Sequence, residues 1–344
     1  MADTAFAAAL RSAIAKDGPM RLDRFMAACN RHYYATRDPF GQAGDFTTAP
    51  EIFQGFGECL GLWAAAAWHR MGRPSPVLLA ELGPGRGTLM QDALRAIGRA
   101  APEFAACLGV HFIETSPSLR AAQLAAVPDA TLHDAIEDLP EGPAILLANE
   151  FFDALPVRQL VRREAGWSEL FVSEALAPLE LPVQERIAPD LPQNTWLEIC
   201  PAAVALAQAI GARLAAQGGV ALAIDYGHAA HGLGSTLQAL RAHRAQSPFD
   251  DPGEADLSAH VDFQVLADAA RAAGTRVLGP VPMGDFLRAI GLPARAEFLA
   301  RTNPARSAAL LAAATRLVSA AHMGTLFKAM AICHPSLPNL PGFP

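Results

Sequence analysis

Residues Val77 to Met90 constrain this chain more than any other stretch. An apolar run, Val77-Leu78-Leu79-Ala80, ends in the acid Glu81, and three alternate glycines, Gly83, Gly85 and Gly87, lead into a helix-like segment that begins at Thr88. A continuous apolar run of this length reads as a strand buried on both faces. Glycines let the chain turn sharply and let its backbone approach a ligand with no side chain in the way. A dinucleotide loop reads G-x-G-x-x-G and rests a pyrophosphate on the helix N-terminus. Here the order is Glu-x-Gly-x-Gly-x-Gly with Pro84 and Arg86 between the glycines, which speaks against a nicotinamide dinucleotide. An ordinary strand-to-helix turn is the competing reading, and the sequence downstream weighs against it.

A Rossmann-like site calls for a second acid at the end of the next strand, where ribose hydroxyls need an acceptor. Glu114 meets that requirement. It closes the short apolar strand Gly109 to Ile113, and Thr115-Ser116-Pro117 follows as a turn and helix start. Between the two strands, Leu89 to Ile97 repeats apolar residues at helical spacing. His133 and Asp134 follow a short third strand, which brings Asp134 to the expected adenine edge. A fourth strand, Ala144 to Ala148, runs into Asn149, Glu150, Phe151, Phe152 and Asp153. Open parallel sheets bind ligands beyond the carboxyl ends of their strands, so this cluster faces the reaction. For Asp153 a helix-cap role stays open beside the catalytic one.

The glycine spacing resembles the first motif of S-adenosylmethionine methyltransferases, and the whole chain resembles the MidA-like members of that class. Their family includes the mitochondrial protein arginine methyltransferase that assists assembly of respiratory complex I. The likeness rests on Gly41-Gln42-Ala43-Gly44-Asp45-Phe46-Thr47-Thr48-Ala49-Pro50-Glu51, Glu81 to Met90, Glu114 to Pro117, Ala148 to Pro156 and Ile224-Asp225-Tyr226-Gly227-His228. Asp256 to Phe263 and Gly324-Thr325-Leu326-Phe327-Lys328 extend it. Ser258 and Ala49 depart from the residues most usual there without changing the chemistry. The resemblance implies an α/β fold: a Rossmann-like class I methyltransferase sheet with helices on both faces, an N-terminal helical cap and a C-terminal helical insertion. It implies S-adenosylmethionine held by Glu81, Gly83, Gly85, Gly87, Thr88, Glu114, Thr115, Asp134, Asn149, Thr48 and Pro50. Glu150, Asp153, Asn149, Asp45 and His260 are the catalytic candidates. The acceptor implied is an accessible arginine of a protein, with a complex I subunit as one candidate.

Composition narrows the partners. A net charge of -7 and an isoelectric point near 5.8 argue against binding a phosphate backbone, which needs Lys and Arg gathered on one face. An acidic surface suits a basic protein segment. Cys29, Cys59, Cys107, Cys200 and Cys333 show no C-x-x-C spacing, so neither a zinc site nor a disulfide framework is expected. The first residues lack a signal peptide's basic start and apolar core, and Leu60 to Trp68, read as the longest apolar stretch, is too short to span a bilayer. A cytoplasmic protein without membrane insertion is therefore expected, and a homodimer is compatible with the sequence.

Residues 1–74 read as a helical cap with a lid loop, and 75–344 as the catalytic domain with inserts near 157–200 and 283–323. Helices are expected over Ala5–Lys16, Leu22–Asn30 and Phe53–Met71; Thr48 either belongs to a loop that closes over the cofactor or caps the last of them. Arg31 to Glu51 reads as a polar loop that closes over the cofactor, with Tyr33 and Tyr34 either lining the pocket or in the core. Val157–Val161 and Glu169–Ser173 read as a hairpin, and Pro178 to Pro192 as a proline-rich connection. Trp196–Ile199 and Gly219–Tyr226 read as strands, Pro201–Gln217 as a helix. Asp225 either orients a substrate or caps a strand end. Asp262 is expected to cap the helix from Phe263, while His260, between acids, is open as a general base. The tail predicts helices Met283–Ile290, Ala294–Thr302 and Ser307–Ala321 before a strand Thr325–Ile332. A small-molecule methyltransferase and a noncatalytic assembly factor are the rival readings.

Overall fold

In the computed structural model, which describes residues 4–36, 48–184 and 191–344, the apolar run Val77–Leu82 forms a strand, β1, whose six residues are all buried. Burial on both faces follows from parallel neighbours on both sides: Leu108–Ile113 (β2) and Ala144–Asn149 (β4). Thr131–His133 (β3) pairs with β2, and Gly219–His228 (β5) with β4, again in parallel. Arg276–Pro282 (β6) and Phe327–Cys333 (β7) complete the path, with β7 antiparallel to both β5 and β6. Among the described residues the order is β6-β7-β5-β4-β1-β2-β3, with Val261–Asp262 beside β5. The order reverses between β1 and β4. An open sheet leaves a crevice at such a switch point, and here it lies beyond Glu81 and Asn149.

Two compact units account for the chain. One, which carries this sheet, comprises Thr47–Phe152, Val204–Ala229 and Val261–Pro344; the other comprises residues up to Phe46, Asp153–Ala203 and Ala230–His260. These boundaries differ from the expected division at 74. The helix Gln54–Arg70 goes with the sheet because Gly57 and Gly61 let it lie against the helix Thr88–Ala100. A Cβ at Gly57 would come within 2.8 Å of the Leu89 carbonyl oxygen, and one at Gly61 within 2.7 Å of the Ala93 Cα. At the same contact the buried Glu58 receives Arg95 Nη2 at 2.9 Å and Arg295 Nε at 2.6 Å, and these partners pull its carboxyl down against the opposing effect of burial.

In the other unit, Arg158–Arg163 and Gly166–Val172 form the expected hairpin, with Trp196–Ile199 beside the first strand and Met20–Arg21 beside the second. Pro178–Val183, expected as a connection, is a strand paired with Gly166–Val172. Prolines suit it because the strand lies at an edge, where an absent N–H faces no partner. The helix Leu22–Thr36 continues through Arg31 to Thr36, which were expected in a loop, because Met26, Cys29 and Tyr33 keep one face buried at helical spacing. Leu22, Phe25 and Met26 are fully buried in a core with Leu170, Val172 and Leu257. Truncating such an aromatic as Phe25 to Ala costs about 3–5 kcal/mol.

The tail departs from expectation at its ends. Its helices are Met283–Ala289, Leu292–Thr302 and Ser307–Val318, and a further turn, Met323–Leu326, takes residues expected in the closing strand. Gly284 and Gly324 permit this packing, since a Cβ on either would meet the Val318 carbonyl oxygen at 2.4 or 2.3 Å. Leu60 to Trp68 is exceeded as the longest apolar stretch by Pro304–Leu326, which has a mean hydropathy of 1.2 and passes for a membrane-spanning helix on length and composition. It is broken after Val318, and Leu310, Ala314 and Leu317 join the core of the sheet unit.

Candidate functional site

Glu81 is the penultimate residue of β1, with its side chain almost fully buried, at 3% exposure. Its carboxyl receives the backbone N–H of Met90, and its Oε2 has no hydrogen-bond partner among the described residues. Burial with a single donor pushes this acid up to about 8. Gly83, Gly85 and Gly87 then turn the chain with φ of +61°, +54° and +81°, values that favour glycine. Gly83 also leaves room for an aromatic neighbour: a Cβ there would sit 2.6 Å from the Phe151 ring. The turn closes through Gly87 N donating to the Pro84 carbonyl at 2.8 Å, and the helix begins at Thr88.

Glu114, one residue beyond β2, is tied down on several sides. Its Oε1 accepts the backbone N–H groups of Thr115 and Ser116, both at 2.8 Å, and its Oε2 accepts Gln123 Nε2 at 3.3 Å. Burial raises its pKa, while these donors and Arg120 work the other way. Gln123 also donates to the Gly85 carbonyl at 2.8 Å, which joins the glycine turn to the second acid. Sequence reading passed over Gln123. Its signal was a polar residue four positions after Leu119, on the buried face of the helix Pro117–Ala126.

Beyond β4 the chain turns at Glu150, a non-glycine residue with φ of +51°. Such a conformation costs of order 1–3 kcal/mol and persists only where surroundings enforce it. Asp225, on β5 and fully buried, supplies part of that enforcement: its Oδ2 accepts Phe151 N at 3.1 Å and Phe152 N at 2.9 Å. This is the strand-end structural role among the two expected for it. Glu150 Oε1 accepts Ala49 N at 2.9 Å and Asn149 Nδ2 at 3.2 Å. Asn149 Oδ1 is buried without a hydrogen-bond partner among the described residues. From the same short helix, Ala49–Ile52, Glu51 Oε1 accepts the Thr88 hydroxyl at 2.7 Å. The segment thus contacts the chain just beyond β4, through Ala49, and the helix start after the glycine turn of β1, through Glu51.

Other expected site residues stand elsewhere. Asp134 is 77% exposed at its side chain and pairs with Arg120 at 2.5 Å, so an arginine already meets its charge. Thr115 contributes its backbone N–H to Glu114. Thr48 precedes Ala49–Ile52 without a side-chain capping bond, and Phe53 separates that turn from the longer helix, so of the two readings of Thr48 the cap of Gln54–Arg70 does not hold; Pro50 is buried in the turn. Asp45 lies outside the described residues. Asp153 and His260 fall in the other unit, where Ala259 N donates to the Asp153 carbonyl at 3.0 Å and His260 N to Thr236 Oγ1 at 2.8 Å. In that unit Tyr33 is core, and the Tyr34 hydroxyl donates to Asp256 at 2.7 Å. Asp262 caps its helix, accepting Val265 N at 3.1 Å. Among the described residues no group of three or more His, Cys, Asp and Glu is placed to hold a metal.

The donor set fits S-adenosylmethionine better than a phosphate-bearing ligand. Glu81 Oε2 and Asn149 Oδ1 are buried acceptors awaiting donors, Glu114 suits hydroxyls, and the glycine turn exposes backbone. A pyrophosphate offers no donors to such a set.

A sequence profile of S-adenosyl-L-methionine-dependent methyltransferases matches residues 59–281. A Drosophila melanogaster relative named protein arginine methyltransferase NDUFAF7 homolog, mitochondrial, is 34% identical over 94% of this chain and 83% of its own length. The Homo sapiens protein arginine methyltransferase NDUFAF7, mitochondrial, is 31% identical over 93% and 81%. A solved Burkholderia thailandensis structure bound to S-adenosyl-homocysteine superposes with a TM-score of 0.84 at 27% identity, covering 98% of this chain and 94% of that one. The curated relatives are mitochondrial, which overturns the expectation of a cytoplasmic protein.

Proposed function

Because this chain belongs to the S-adenosyl-L-methionine-dependent methyltransferases, as the profile match and its relatives establish, we propose that it methylates an arginine of a protein substrate. The observation that carries the finer reading is that relatives matching over more than nine-tenths of the chain are named protein arginine methyltransferases. A complex I subunit is the candidate acceptor that the family resemblance suggests.

When bound, the cofactor supplies a methyl group on a sulfonium, already activated for displacement. What remains for the protein is to bring a nucleophile into line, a positioning task that lowers barriers by about 7–11 kcal/mol in favourable cases. An arginine guanidinium is cationic and a poor nucleophile, so a carboxylate must orient it and take up the proton that the attacking nitrogen sheds. We assign this role to Glu150, whose carboxylate is fixed at the end of β4 by Ala49 and Asn149. Glu81, Gly83, Gly85, Gly87 and Glu114 serve the cofactor, and Asp153 remains a further acidic candidate.

The test is transfer of labelled methyl from S-adenosylmethionine to candidate proteins, with the acceptor residue located by mass spectrometry. Glu150→Gln keeps an oxygen for Ala49 N and should retain S-adenosylhomocysteine affinity while transfer falls at least about 100-fold, the lower range for a positioned acid or base. Label appearing on small metabolites and on no protein would overturn the protein-arginine reading. Unchanged transfer by the variant would remove Glu150 from the role.

A further inference from the structure

We propose that the outward face of the helix Ser307–Val318 is a docking surface for an anionic lipid membrane, on which the protein lies without crossing it. Leu310, Ala314 and Leu317 turn one face of this helix into the core. Ala308, Leu311, Ala312 and Thr315 recur at i, i+3, i+4 and i+7 and are all exposed, so a second, outward stripe runs along the helix. Leu311 is 40% exposed, and Phe298, on the helix Leu292–Thr302 that packs against this one, is 48% exposed. Only 17% of the most apolar window of Pro304–Leu326 is buried. Apolar surface left outside in this way marks a place where something docks.

The charges say what docks there. The chain carries a net charge of -7, yet no Asp or Glu follows Glu297, while Arg301, Arg306, Arg316 and Lys328 do. Arg306 and Arg316, near the two ends of the helix, make no ion pair among the described residues. Arg306 stands at the N-cap, where the helix dipole disfavours a cation, so the fold itself has no use for its charge. A second copy of this face would set these arginines against their own kind. A protein partner would be read by directional hydrogen bonds, and the hydroxyls here are already committed: Thr302 donates to the Phe298 carbonyl at 3.0 Å and Thr315 to the Leu311 carbonyl at 2.8 Å. What faces outward is methyl groups, Leu311, Phe298 and guanidinium groups, a set that fits acyl chains beneath anionic headgroups. The helix stops at Val318 and keeps its other face in the core, so it rests on a membrane rather than spanning one. An ordinary surface helix with stray apolar residues is the alternative, and it would be indifferent to lipid charge.

Co-sedimentation of the full chain with vesicles separates the two. Vesicles of phosphatidylcholine and phosphatidylglycerol in equal parts should carry the protein down, vesicles of phosphatidylcholine alone should not, and added salt should release it. Replacing both arginines, Arg306→Gln with Arg316→Gln, should weaken binding about 25-fold, or about fivefold for each. Leu311→Gln, which leaves every charge in place, should weaken it about fivefold through lost apolar contact. Thermal melts matching the wild type establish that the variants fold; if one does not, the lipid and salt dependence of the wild type decides alone. No sedimentation with the anionic vesicles, equal sedimentation with both compositions, or variants that bind like the wild type would overturn the proposal. So would a dimer in light scattering that Leu311→Gln dissociates, since a second copy would then cover this face.

Discussion

At the ends of the neighbouring strands β1 and β2 the chain places a glutamate and surrounds it in opposite ways. Glu114 accepts from Thr115 N, Ser116 N and Gln123 Nε2, three donors for a group with about four lone-pair sites. Glu81, more deeply buried, accepts from Met90 N and leaves an oxygen with no hydrogen-bond partner among the described residues. The difference teaches what each end is built to meet. A carboxylate saturated by its own turn is fixed in place and has little left to offer beyond neutral hydroxyls. One left short of donors in a buried position favours its neutral form until a cation arrives, so β1 supplies an acid whose charge depends on its ligand.

The largest effect should come from removing that dependence. Glu81→Gln is expected to weaken S-adenosylhomocysteine about 100-fold at pH 8.5, the upper range for a hydrogen bond to a charged group, and calorimetry checks it. In the wild type the acid is raised to about 8 in the free protein, and an ammonium would lower it, so binding releases a proton. Affinity should climb by up to about tenfold per pH unit toward that value and level off above it; a flat profile would place the ammonium elsewhere. Stability of the unliganded protein has the opposite slope. Glu81 binds its proton more tightly folded than unfolded, so its contribution is complete below 4.5 and is lost as pH rises to about 8. Chemical denaturation of Glu81→Gln should show that slope removed.

Next in size is the turn that separates the two acids. Gly83→Ala places a Cβ at φ +61° and 2.6 Å from the Phe151 ring, so about 1–3 kcal/mol of stability should be lost in urea titrations. A neutral result would mean that Phe151 moves freely and does not fix the distance between the β1 and β4 loops. If Glu114 holds the ribose, as we propose for the cofactor, Glu114→Gln should follow, weakening S-adenosylhomocysteine by about tenfold. Unchanged affinity would collapse the contrast between the strand ends.

The contrast itself was only half legible in the sequence. Strand, glycine turn, helix and strand-end acids are local patterns, and period and spacing expose them directly. What ties the loops around the two acids to one another comes from far along the chain. Gln123 reaches Gly85 across 38 residues, Thr88 reaches Glu51 across 37, and Asp225 holds Phe151 across 74. None of these pairings leaves a spacing signature, since each depends on which loops the sheet order gathers at its switch point. In the other unit the obstacle was composition. Pro178 and Pro182 mark a break by ordinary rules, and only the edge position of Pro178–Val183 makes a strand of it.

Asp134 should give the smallest effect and marks the boundary of the β2 end. Its carboxylate is largely in water and its partner, Arg120, does not depend on it for position: Arg120 Nε also donates to the Glu114 carbonyl at 2.7 Å and its Nη2 to the His133 carbonyl at 2.9 Å. Exposed ion pairs contribute about 0–1 kcal/mol, so Asp134→Asn should leave S-adenosylhomocysteine affinity within about threefold and the unfolding midpoint nearly unchanged. Arg120→Ala, by contrast, takes a donor from the Glu114 and His133 carbonyls and should loosen that acid's turn, weakening S-adenosylhomocysteine. Should Asp134→Asn instead weaken binding more than Arg120→Ala, the exposed carboxylate would itself be contacting the adenine edge, and the β2 end would extend one strand further than Glu114.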